Sequence, residues 1–388
     1  MAKLQLSVAM GDYDRNRALF DGRVQIDGCD PTYMLLNPEE MFFRAMRSRD
    51  FDITELSFSS YLVKHSRGDS PYVAVPVFLS RAFRHTSIYV RKDRIRKPQD
   101  LKGKRIGIPE YQLTAIVWAR SILQDDYGIA PEDVTWVRGG IDTPGRPEKI
   151  KLELPPGVKI ESAPADKTIS QLLDEGEIDG FIAPRPPSGA AARNPHVGWL
   201  FDDTVATAKD YYRRTGIFPI MHVVGIRKEL AQAHPWLPAA VVKAFTASKA
   251  QALKLLSDTS ATKVTLPFVE EQLKAARESL GEDYWSYGVQ AARQTLETLR
   301  SESLADPAAA WPLVNLLVLS WQALALPADG DPGGQSAAAC RDLLAVLRQV
   351  FPAVAPHVSP ASLLAWGAFL AAGAPGLTQA LGPAFSVA

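Results

Sequence analysis

Residues Ser87 to Gly107 read SIYVRKDRIRKPQDLKGKRIG, and the fold class follows mainly from this segment and its neighbours. Its two ends, each taken with one adjacent residue, are Thr86 to Arg91 and Arg105 to Ile108; both contain apolar and β-branched residues typical of strands. The polar connection between these ends contains Pro98, which lacks the N–H group that a central strand needs. Two short strands joined in this way indicate the beginning of an α/β unit.

On the N-terminal side of this segment, strand-like and helix-like patterns alternate. Leu4 to Val8 alternates apolar and polar residues, as a strand does. Pro38 to Arg49 begins with proline and acidic residues and ends with basic ones, which suits a helix and its dipole. Phe51 to Leu56 and Tyr72 to Phe78 then resemble strands. This alternation predicts βαβ units and a largely parallel sheet.

The alternation continues on the C-terminal side. Pro109 to Thr114 is a loop that opens a helix, and Ile217 to Ile226 reads as a strand on which the chain returns towards its first part. Between them, Gly139 to Lys149 (GGIDTPGRPEK) has no periodicity and is rich in glycine, proline and charge. Long irregular loops inside compact domains are often functional, so we expect this loop to contribute to a binding site.

Composition excludes several classes of protein. The chain has 388 residues, with 43 Lys+Arg and 43 Asp+Glu, so no net charge attracts it to nucleic acid or to an anionic membrane. Cys29 and Cys340 are too few for a disulfide scaffold or a cysteine zinc site. The sequence also lacks a Gly-x-Gly-x-x-Gly run after a strand, a P-loop and a Gly-x-Ser-x-Gly elbow. Its start lacks the continuous apolar region of a secretory signal, so a cytoplasmic protein is expected if the sequence is complete.

The segment ending in DLKGKRIG resembles a pattern that recurs in type II periplasmic binding proteins, and a larger set of segments is more specific. Together they resemble 4,5-dihydroxyphthalate decarboxylase and its relatives, over about residues 4 to 298. The segments are MGDYDRNRALFDGRV at Met10–Val24, DITELSFSSYL at Asp52–Leu62, SRAFRHTSIYVR at Ser80–Arg91, IPEYQLTAIVWAR at Ile108–Arg120, GGIDTPGRPEK at Gly139–Lys149 and DYYRRTGIFPIMHVV at Asp210–Val224.

The resemblance implies an α/β type II periplasmic-binding-protein-like fold with a ligand cleft between two lobes. The expected division is 1–84 for the first part of lobe 1, 85–200 for lobe 2, and 201–300 for the return to lobe 1. Residues 301–388 do not fit the resemblance, because they form an Ala- and Pro-rich tail with very few charges. This tail is expected to be helical or disordered. A fused helical appendage, an oligomerisation segment and a shifted coding frame all stay open as its origin.

The resemblance also implies a reaction, the non-oxidative conversion of 4,5-dihydroxyphthalate to protocatechuate. A proton must reach the ring carbon before CO2 leaves, because an aryl carbanion would otherwise form. The hydroxyl para to the departing carboxylate supplies electrons, so the chemistry demands no organic cofactor. The enzyme needs cations for the carboxylates, an acid near the ring carbon and an acceptor for the phenol.

Four arginines are candidates for binding the substrate carboxylates, because a planar guanidinium donates two parallel hydrogen bonds to a carboxylate. Arg81 and Arg84 lie where the chain crosses between the expected lobes, and Arg146 and Arg185 lie in loops of lobe 2. The alternative to substrate binding is the same for each of them: an arginine on the surface that interacts with solvent or with a neighbouring acid.

Two histidines and two glutamates are candidates for catalysis. His85 and His222 suit proton transfer, since histidine has a near-neutral pKa. Glu55 ends a strand, where open α/β sheets place ligand-binding groups, and Glu110 lies in a loop that opens a helix. Either glutamate could accept the phenolic proton. A buried structural histidine and a helix-stabilising glutamate are the alternatives for His222 and Glu110.

Further candidates would contact the substrate ring or its hydroxyls. Asp12 could bind a hydroxyl, although a turn is the commoner use of aspartate there. Tyr13, Tyr111 and Trp118 could stack on the ring or belong to the core. Thr114, at the end of the loop after Pro109, is also placed among the substrate-binding residues.

The sequence does not favour a metal, because it has no close ligand pair such as two histidines one helical turn apart. His85, His222 and Glu55 could converge on a divalent ion only through the fold. The expected partner is a small aromatic carboxylate. A homo-oligomer is compatible with the size of the chain. Two other functions stay open: a solute-binding protein or sensor that holds an aromatic anion without reacting it, and a decarboxylase of a related hydroxylated acid.

Overall fold

The computed structural model describes residues 3–146, 150–152 and 154–288. Within them the chain forms two β-sheets with helices packed against each sheet, which confirms the predicted two-lobed α/β fold. The tail expected over 301–388 and the end of the 201–300 segment lie outside the described residues.

The regular elements follow one another in an order that alternates strands and helices. The strands are β1 Leu4–Met10, β2 Cys29–Leu35, β3 Ile53–Ser57, β4 Tyr72–Arg81, β5 Ile88–Arg91, β6 Arg105–Ile108, β7 Thr135–Arg138, β8 Lys159–Ser162, β9 Gly180–Ile182, β10 Val197–Trp199 and β11 Ile220–Arg227. The helices are α1 Arg17–Phe20, α2 Pro38–Ser48, α3 Phe58–Ser66, α4 Thr114–Tyr127, α5 Ile169–Glu175, α6 Thr204–Thr215, α7 Lys228–Ala233, α8 Leu237–Leu256 and α9 Val269–Leu280.

The first sheet has the strand order β2-β1-β3-β11-β4. Strand β1 is parallel to β2 and β3, whereas β11 is antiparallel to both β3 and β4. The sheet is therefore mixed, because β11 enters it from the second lobe in the opposite direction. Helix α2 starts as its sequence predicts, since the Asn37 side chain accepts a hydrogen bond from the Glu39 N–H and Pro38 occupies the first turn.

The second sheet has the order β10-β5-β9-β6-β7-β8. Strands β9, β6, β7 and β8 are parallel to one another, β5 is antiparallel to β9, and β10 is antiparallel to β5. The strand expected from Thr86 begins only at Ile88, because residues Arg84–Ser87 form a turn of 3-10 helix. Strands β2, β8 and β10 were not predicted, because each is short or partly exposed and lacks a clear alternation of apolar and polar residues.

The chain crosses between the sheets twice, once between β4 and β5 and again between β10 and β11. Each lobe has its own apolar core. In lobe 1, Val241 and Phe245 of α8 join a cluster with β1 and β4 residues, and in lobe 2, Ile116 of α4 joins one with Ile106 and Trp136. A smaller cluster, which contains Trp118, Tyr211, Ile217 and Met221, links α4 to the segment that returns to lobe 1.

Trp118 belongs to this connecting cluster, and its replacement by alanine should destabilise the protein. The side chain is fully buried, and its Nε1–H donates to the Ile220 carbonyl at 3.0 Å. Trp118→Ala is expected to lower the free energy of unfolding by about 3–5 kcal/mol, because it leaves a cavity and an unpaired carbonyl. Urea unfolding measures this change. The control Trp199→Ala, at a side chain that is 44% exposed, should cost less than about 1 kcal/mol; equal losses would contradict the expectation.

None of the helices in the described ranges has both the length and the apolar character needed to cross a lipid bilayer.

Candidate active site

Glu55 lies at the centre of a buried hydrogen-bond network in lobe 1. It belongs to β3, in the middle of the first sheet, and its side chain is buried. Its carboxylate accepts three hydrogen bonds: from the Gly11 N–H at 2.9 Å, the Tyr13 hydroxyl at 2.9 Å and His222 Nδ1 at 2.6 Å. Two of the partners follow β1 and the third lies on β11, so this network depends on three strands of the first sheet.

The three donors keep Glu55 ionised. Burial alone raises the pKa of a carboxyl group, but the hydrogen bond and charge of His222, with the hydrogen bonds of Gly11 and Tyr13, lower the pKa of Glu55 below its ordinary value. The pKa of the Tyr13 hydroxyl moves in the opposite direction, because burial and the neighbouring negative charge of Glu55 both raise it. Tyr13 is therefore a donor to a carboxylate, and it stays protonated at neutral pH.

His222 is a partly exposed member of this network. It lies on β11, opposite Ser57 of β3 and Ser80 of β4, and its side chain is 17% exposed. The edge of Phe42 fixes the ring, with centroids 4.8 Å apart at an angle of 77°. Since Glu55 is ionised, Nδ1 donates its proton to Glu55. Glu55 is the one hydrogen-bond partner of this side chain within the described residues, so Nε2 can exchange a proton with a ligand.

A second carboxylate network lies in lobe 2, directly after β6. Glu110 is buried and accepts hydrogen bonds from Arg146 Nε at 2.8 Å and from Gln112 Nε2 at 2.8 Å. Arg146 Nη2 is also 2.7 Å from the same glutamate. This pair of contacts fixes the guanidinium of Arg146, which belongs to the irregular loop that was expected to be functional.

Arg146 and Arg185 both reach an acid of lobe 1. Arg146 Nη1 is 3.3 Å from Glu39 Oε2, and Arg185 Nη2 is 3.6 Å from Glu39 Oε1. Arg185 also lies 3.7 Å from Asp142 of its own lobe. Glu39 is in the first turn of α2, so these pairs join the two lobes.

Hydroxyl groups form another contact between the lobes. The Thr114 hydroxyl at the start of α4 lies 3.0 Å from the Ser57 and Ser59 hydroxyls, and it accepts a hydrogen bond from the Ser59 N–H at 3.1 Å. The Ser59 hydroxyl also donates to the Gln112 carbonyl. Ser57 lies two residues after Glu55, and Gln112 lies two residues after Glu110. Because Ser57 contacts Thr114 and Ser59 contacts Gln112, the sheet edges next to the two carboxylate networks face each other.

Arg81 and Arg84 lie near the first chain crossing, and neither has a carboxylate within 4.0 Å in the described part of the chain. Arg81 is buried and donates to the Ser286 carbonyl at 3.2 Å, and Arg84 donates to the Met221 sulfur at 3.0 Å and the Ser87 hydroxyl at 3.3 Å. Burial of the guanidinium lowers the pKa of each arginine to about 10. Both therefore stay charged at neutral pH, and neither forms an ion pair with another of the described residues.

The structure places the remaining candidates elsewhere. His85 is fully buried between the rings of Phe201 and Tyr211, and both of its ring nitrogens lack a hydrogen-bond partner within the described residues. Burial lowers its pKa to about 4. Tyr111 is in the core of lobe 2, with Arg120 over its ring. Asp12 forms an exposed ion pair of 2.6 Å with Arg17.

Several residues of the site were not among the predicted ones: Glu39, Ser57, Ser59, Gln112 and Asp142. A signal existed for the serines, because Ser57 is the last residue of β3 and Ser59 comes just after it, where ligand-binding groups of open sheets lie. An acidic residue in the first turn of a helix is already explained by the helix dipole, so nothing in the sequence indicated that Glu39 also contacts the other lobe.

A metal would need several histidine, cysteine, aspartate or glutamate side chains in one place. No group of three or more such side chains in the described residues is arranged to hold a metal ion. His222 and Glu55 are close together, but they are hydrogen-bonded to each other, and His85 packs between other rings. Activity with and without a chelator is therefore the measurement that decides whether a metal is needed.

Two mixed sheets, two chain crossings and facing polar edges define a protein of the type II periplasmic-binding-protein-like class. Among solved structures, a protein of Archaeoglobus fulgidus is similar, with 16% identity, a TM-score of 0.46 and coverage of 78% of this chain and 97% of that chain. The alkanesulfonate-binding protein of Xanthomonas axonopodis pv. citri has 14% identity, a TM-score of 0.45 and coverage of 81% and 98%.

Sequence comparison identifies the family. Residues 56–144 match the family described as NMT1/THI5 like. A 4,5-dihydroxyphthalate decarboxylase of Comamonas testosteroni is 61% identical over 289 residues, which cover 74% of this chain and 88% of that protein. A second one, from Pseudomonas putida, is 58% identical over 214 residues, or 55% of this chain and 83% of that protein. The chain belongs to the 4,5-dihydroxyphthalate decarboxylase family, as its sequence motifs indicated.

Proposed function

We propose that this protein is a carboxy-lyase that converts 4,5-dihydroxyphthalate to protocatechuate and CO2. The observation that carries the proposal is the 61% identity to the Comamonas testosteroni decarboxylase across 88% of that protein. The Glu55–His222 pair supports it, because it offers a proton donor at the edge between two lobes. The para hydroxyl can serve as the electron source, so the proposed mechanism uses neither an organic cofactor nor a metal.

His222 is the proposed proton donor. In its protonated form, Nε2 gives its proton to the ring carbon that bears the departing carboxylate, while Nδ1–H stays bonded to ionised Glu55. The para hydroxyl supplies the electron pair for this protonation. The C–C bond to the carboxylate then breaks, CO2 leaves, and its bonding pair restores the aromatic ring. Solvent returns a proton to His222, so the net reaction consumes one proton.

Glu55 and Tyr13 act on His222 and not on the substrate. The carboxylate of Glu55 accepts the Nδ1–H of His222 and so fixes its tautomer and orientation, as the acid of a catalytic triad does. The hydrogen bond from Tyr13 in turn holds Glu55 in place. His85 suits the role of donor less well than His222 does, because its lowered pKa leaves very little of it protonated at neutral pH.

The four predicted arginines fall into two groups for binding the substrate carboxylates. Arg81 and Arg84 are cations in largely buried places without an acidic partner in the described residues, so a substrate carboxylate would supply the missing charge. Arg146 and Arg185 face the boundary between the lobes and already contact Glu39. Glu110 positions Arg146. It is also the lobe 2 residue that we predicted as an acceptor for the phenolic proton of the substrate.

The first test is turnover of 4,5-dihydroxyphthalate by the purified full chain, with and without a chelator. We expect CO2 and protocatechuate in equal amounts, with a rate that a chelator such as EDTA does not change. Liquid chromatography and CO2 release measure the two products. Loss of the rate with EDTA, and its return with a divalent ion, would contradict the metal-free mechanism and assign a metal-binding role to Glu55 and His222.

The same experiment separates an enzyme from a binding protein. If 4,5-dihydroxyphthalate raises the melting temperature but no CO2 forms, the decarboxylase proposal is wrong for this compound, and a protein that holds aromatic anions is the better description. A cytoplasmic location also belongs to the proposal, and fractionation of the source cells tests it.

A further inference from the structure

The carboxylate of Glu39 lies between two arginines of the other lobe. Its Oε2 is 3.3 Å from Arg146 Nη1, and its Oε1 is 3.6 Å from Arg185 Nη2. Each oxygen of one carboxylate thus faces a different guanidinium. This is the arrangement in which two arginines would hold a carboxylate group of a ligand.

The exposure of these groups indicates which of them can be replaced. The Arg146 side chain is only 14% exposed, and Glu110 fixes it through Nε and Nη2, which leaves Nη1 for Glu39. The Glu39 side chain is 44% exposed and has no other ion-pair partner in the described residues than these two arginines. The Arg146 guanidinium is therefore held in place, whereas the Glu39 carboxylate and the Arg185 side chain, which is 56% exposed, can exchange their ion pair for water at little cost in free energy.

We propose that Glu39 is an internal substitute for a ligand carboxylate, and that it occupies the Arg146–Arg185 site until an anionic ligand displaces it. Glu39 thus competes with the ligand and weakens the binding of every carboxylate at this site. The identity of the natural ligand rests on the proposed function, but the competition itself requires only a carboxylate. A contact that merely joined the lobes would have the opposite effect, because its loss would weaken ligand binding.

The test is the affinity of Glu39→Gln for phthalate, which has the two carboxylates but lacks the para hydroxyl needed for reaction. Isothermal titration calorimetry at low salt measures the dissociation constant. We expect Glu39→Gln to bind phthalate about two- to fivefold more tightly than the unchanged protein, which matches the usual strength of a partly exposed ion pair. The KM for 4,5-dihydroxyphthalate should fall by a similar factor.

Glu40→Gln is the matched control. Glu40 is the next residue in the same first turn of α2, so its loss affects the helix dipole equally, but its partner is Arg44 at 3.0 Å within the helix. This variant should bind phthalate as the unchanged protein does. The Glu39 proposal is wrong if Glu39→Gln binds phthalate equally or more weakly, or if neither protein binds phthalate at millimolar concentration.

The outcome also separates this proposal from the proposed reaction. If Glu39→Gln tightens phthalate binding while no variant releases CO2 from 4,5-dihydroxyphthalate, the competition by Glu39 stands and the decarboxylase proposal fails. If turnover occurs but phthalate affinity does not increase in Glu39→Gln, the reaction stands and Glu39 is only a contact between the lobes.

Discussion

The variant His222→Gln is expected to lower kcat for 4,5-dihydroxyphthalate by about 10²- to 10⁴-fold while the protein stays folded. The reason is that glutamine can keep a hydrogen bond to Glu55 but cannot deliver a proton to the ring carbon. Because the ring of His222 is held by Glu55 and Phe42 and not by the substrate, KM should change by less than about threefold. Steady-state kinetics of CO2 release measure both constants, and circular dichroism checks the fold.

A comparison with Glu55→Gln tests whether the two residues act as a unit. Removal of the carboxylate charge should lower kcat substantially, and the double variant should be scarcely worse than His222→Gln alone, since Glu55 acts through the histidine. His196→Gln, at an exposed histidine of lobe 2, is the control and should keep full activity. Full activity of His222→Gln would contradict the mechanism, and multiplicative losses in the double variant would give Glu55 a role of its own.

Much of the fold was predictable because its signals are local. The start of α2 at Pro38 and the short strand Arg105–Ile108 follow from neighbouring residues alone, and the structure has them where the sequence indicates. The same holds for the placement of Glu55 on a strand. The family motifs added the two-lobed arrangement, which no single helix or strand pattern specifies.

The pairing of residues within the site was not predictable in this way. Glu55 and His222 are separated by 167 positions, and their contact depends on the register between β3 and β11. That register is determined by side-chain packing across the whole sheet and has no local sequence signal. The sequence therefore supplied both residues as separate candidates, and only the fold brings them within 2.6 Å.

His85 illustrates the opposite case. Its sequence neighbours, Arg81 and Arg84, suggested a polar position at a lobe crossing. Its actual surroundings are Phe201 and Tyr211, which belong to segments far later in the chain. Aromatic burial of this kind is a tertiary effect, so a histidine in a polar stretch of sequence can lie in an apolar place.

The variant Arg84→Met is expected to lose substrate affinity and to gain stability. The guanidinium packs against the Met221 sulfur and has no carboxylate within 4.0 Å in the described part of the protein. A largely buried charge without a counter-charge destabilises the ligand-free protein, which is why burial lowers the pKa of Arg84 to about 10. Methionine has a similar length and no charge, so it should raise the free energy of unfolding by about 1–4 kcal/mol.

The same substitution should raise KM for 4,5-dihydroxyphthalate and the dissociation constant for phthalate by about 30-fold or more. The reason is that the variant can no longer form the arginine–carboxylate pair that ligand binding would create away from water. Urea unfolding and calorimetry measure the two effects. Arg213→Met, at an exposed arginine of α6 that pairs with Asp210, is the control and should change neither quantity. Arg84→Lys should recover only part of the affinity, because an ammonium group cannot form two parallel hydrogen bonds with a carboxylate.

The two measurements together decide the role of Arg84. A residue kept for structure would give a variant that is less stable and binds phthalate normally. If Arg84 serves the substrate, the variant is more stable and binds phthalate more weakly, because the buried charge destabilises the free protein and is compensated only when a carboxylate is bound. Opposite signs for stability and affinity in one variant would therefore identify Arg84 as a substrate-binding residue, and a loss of stability with unchanged affinity would exclude that role.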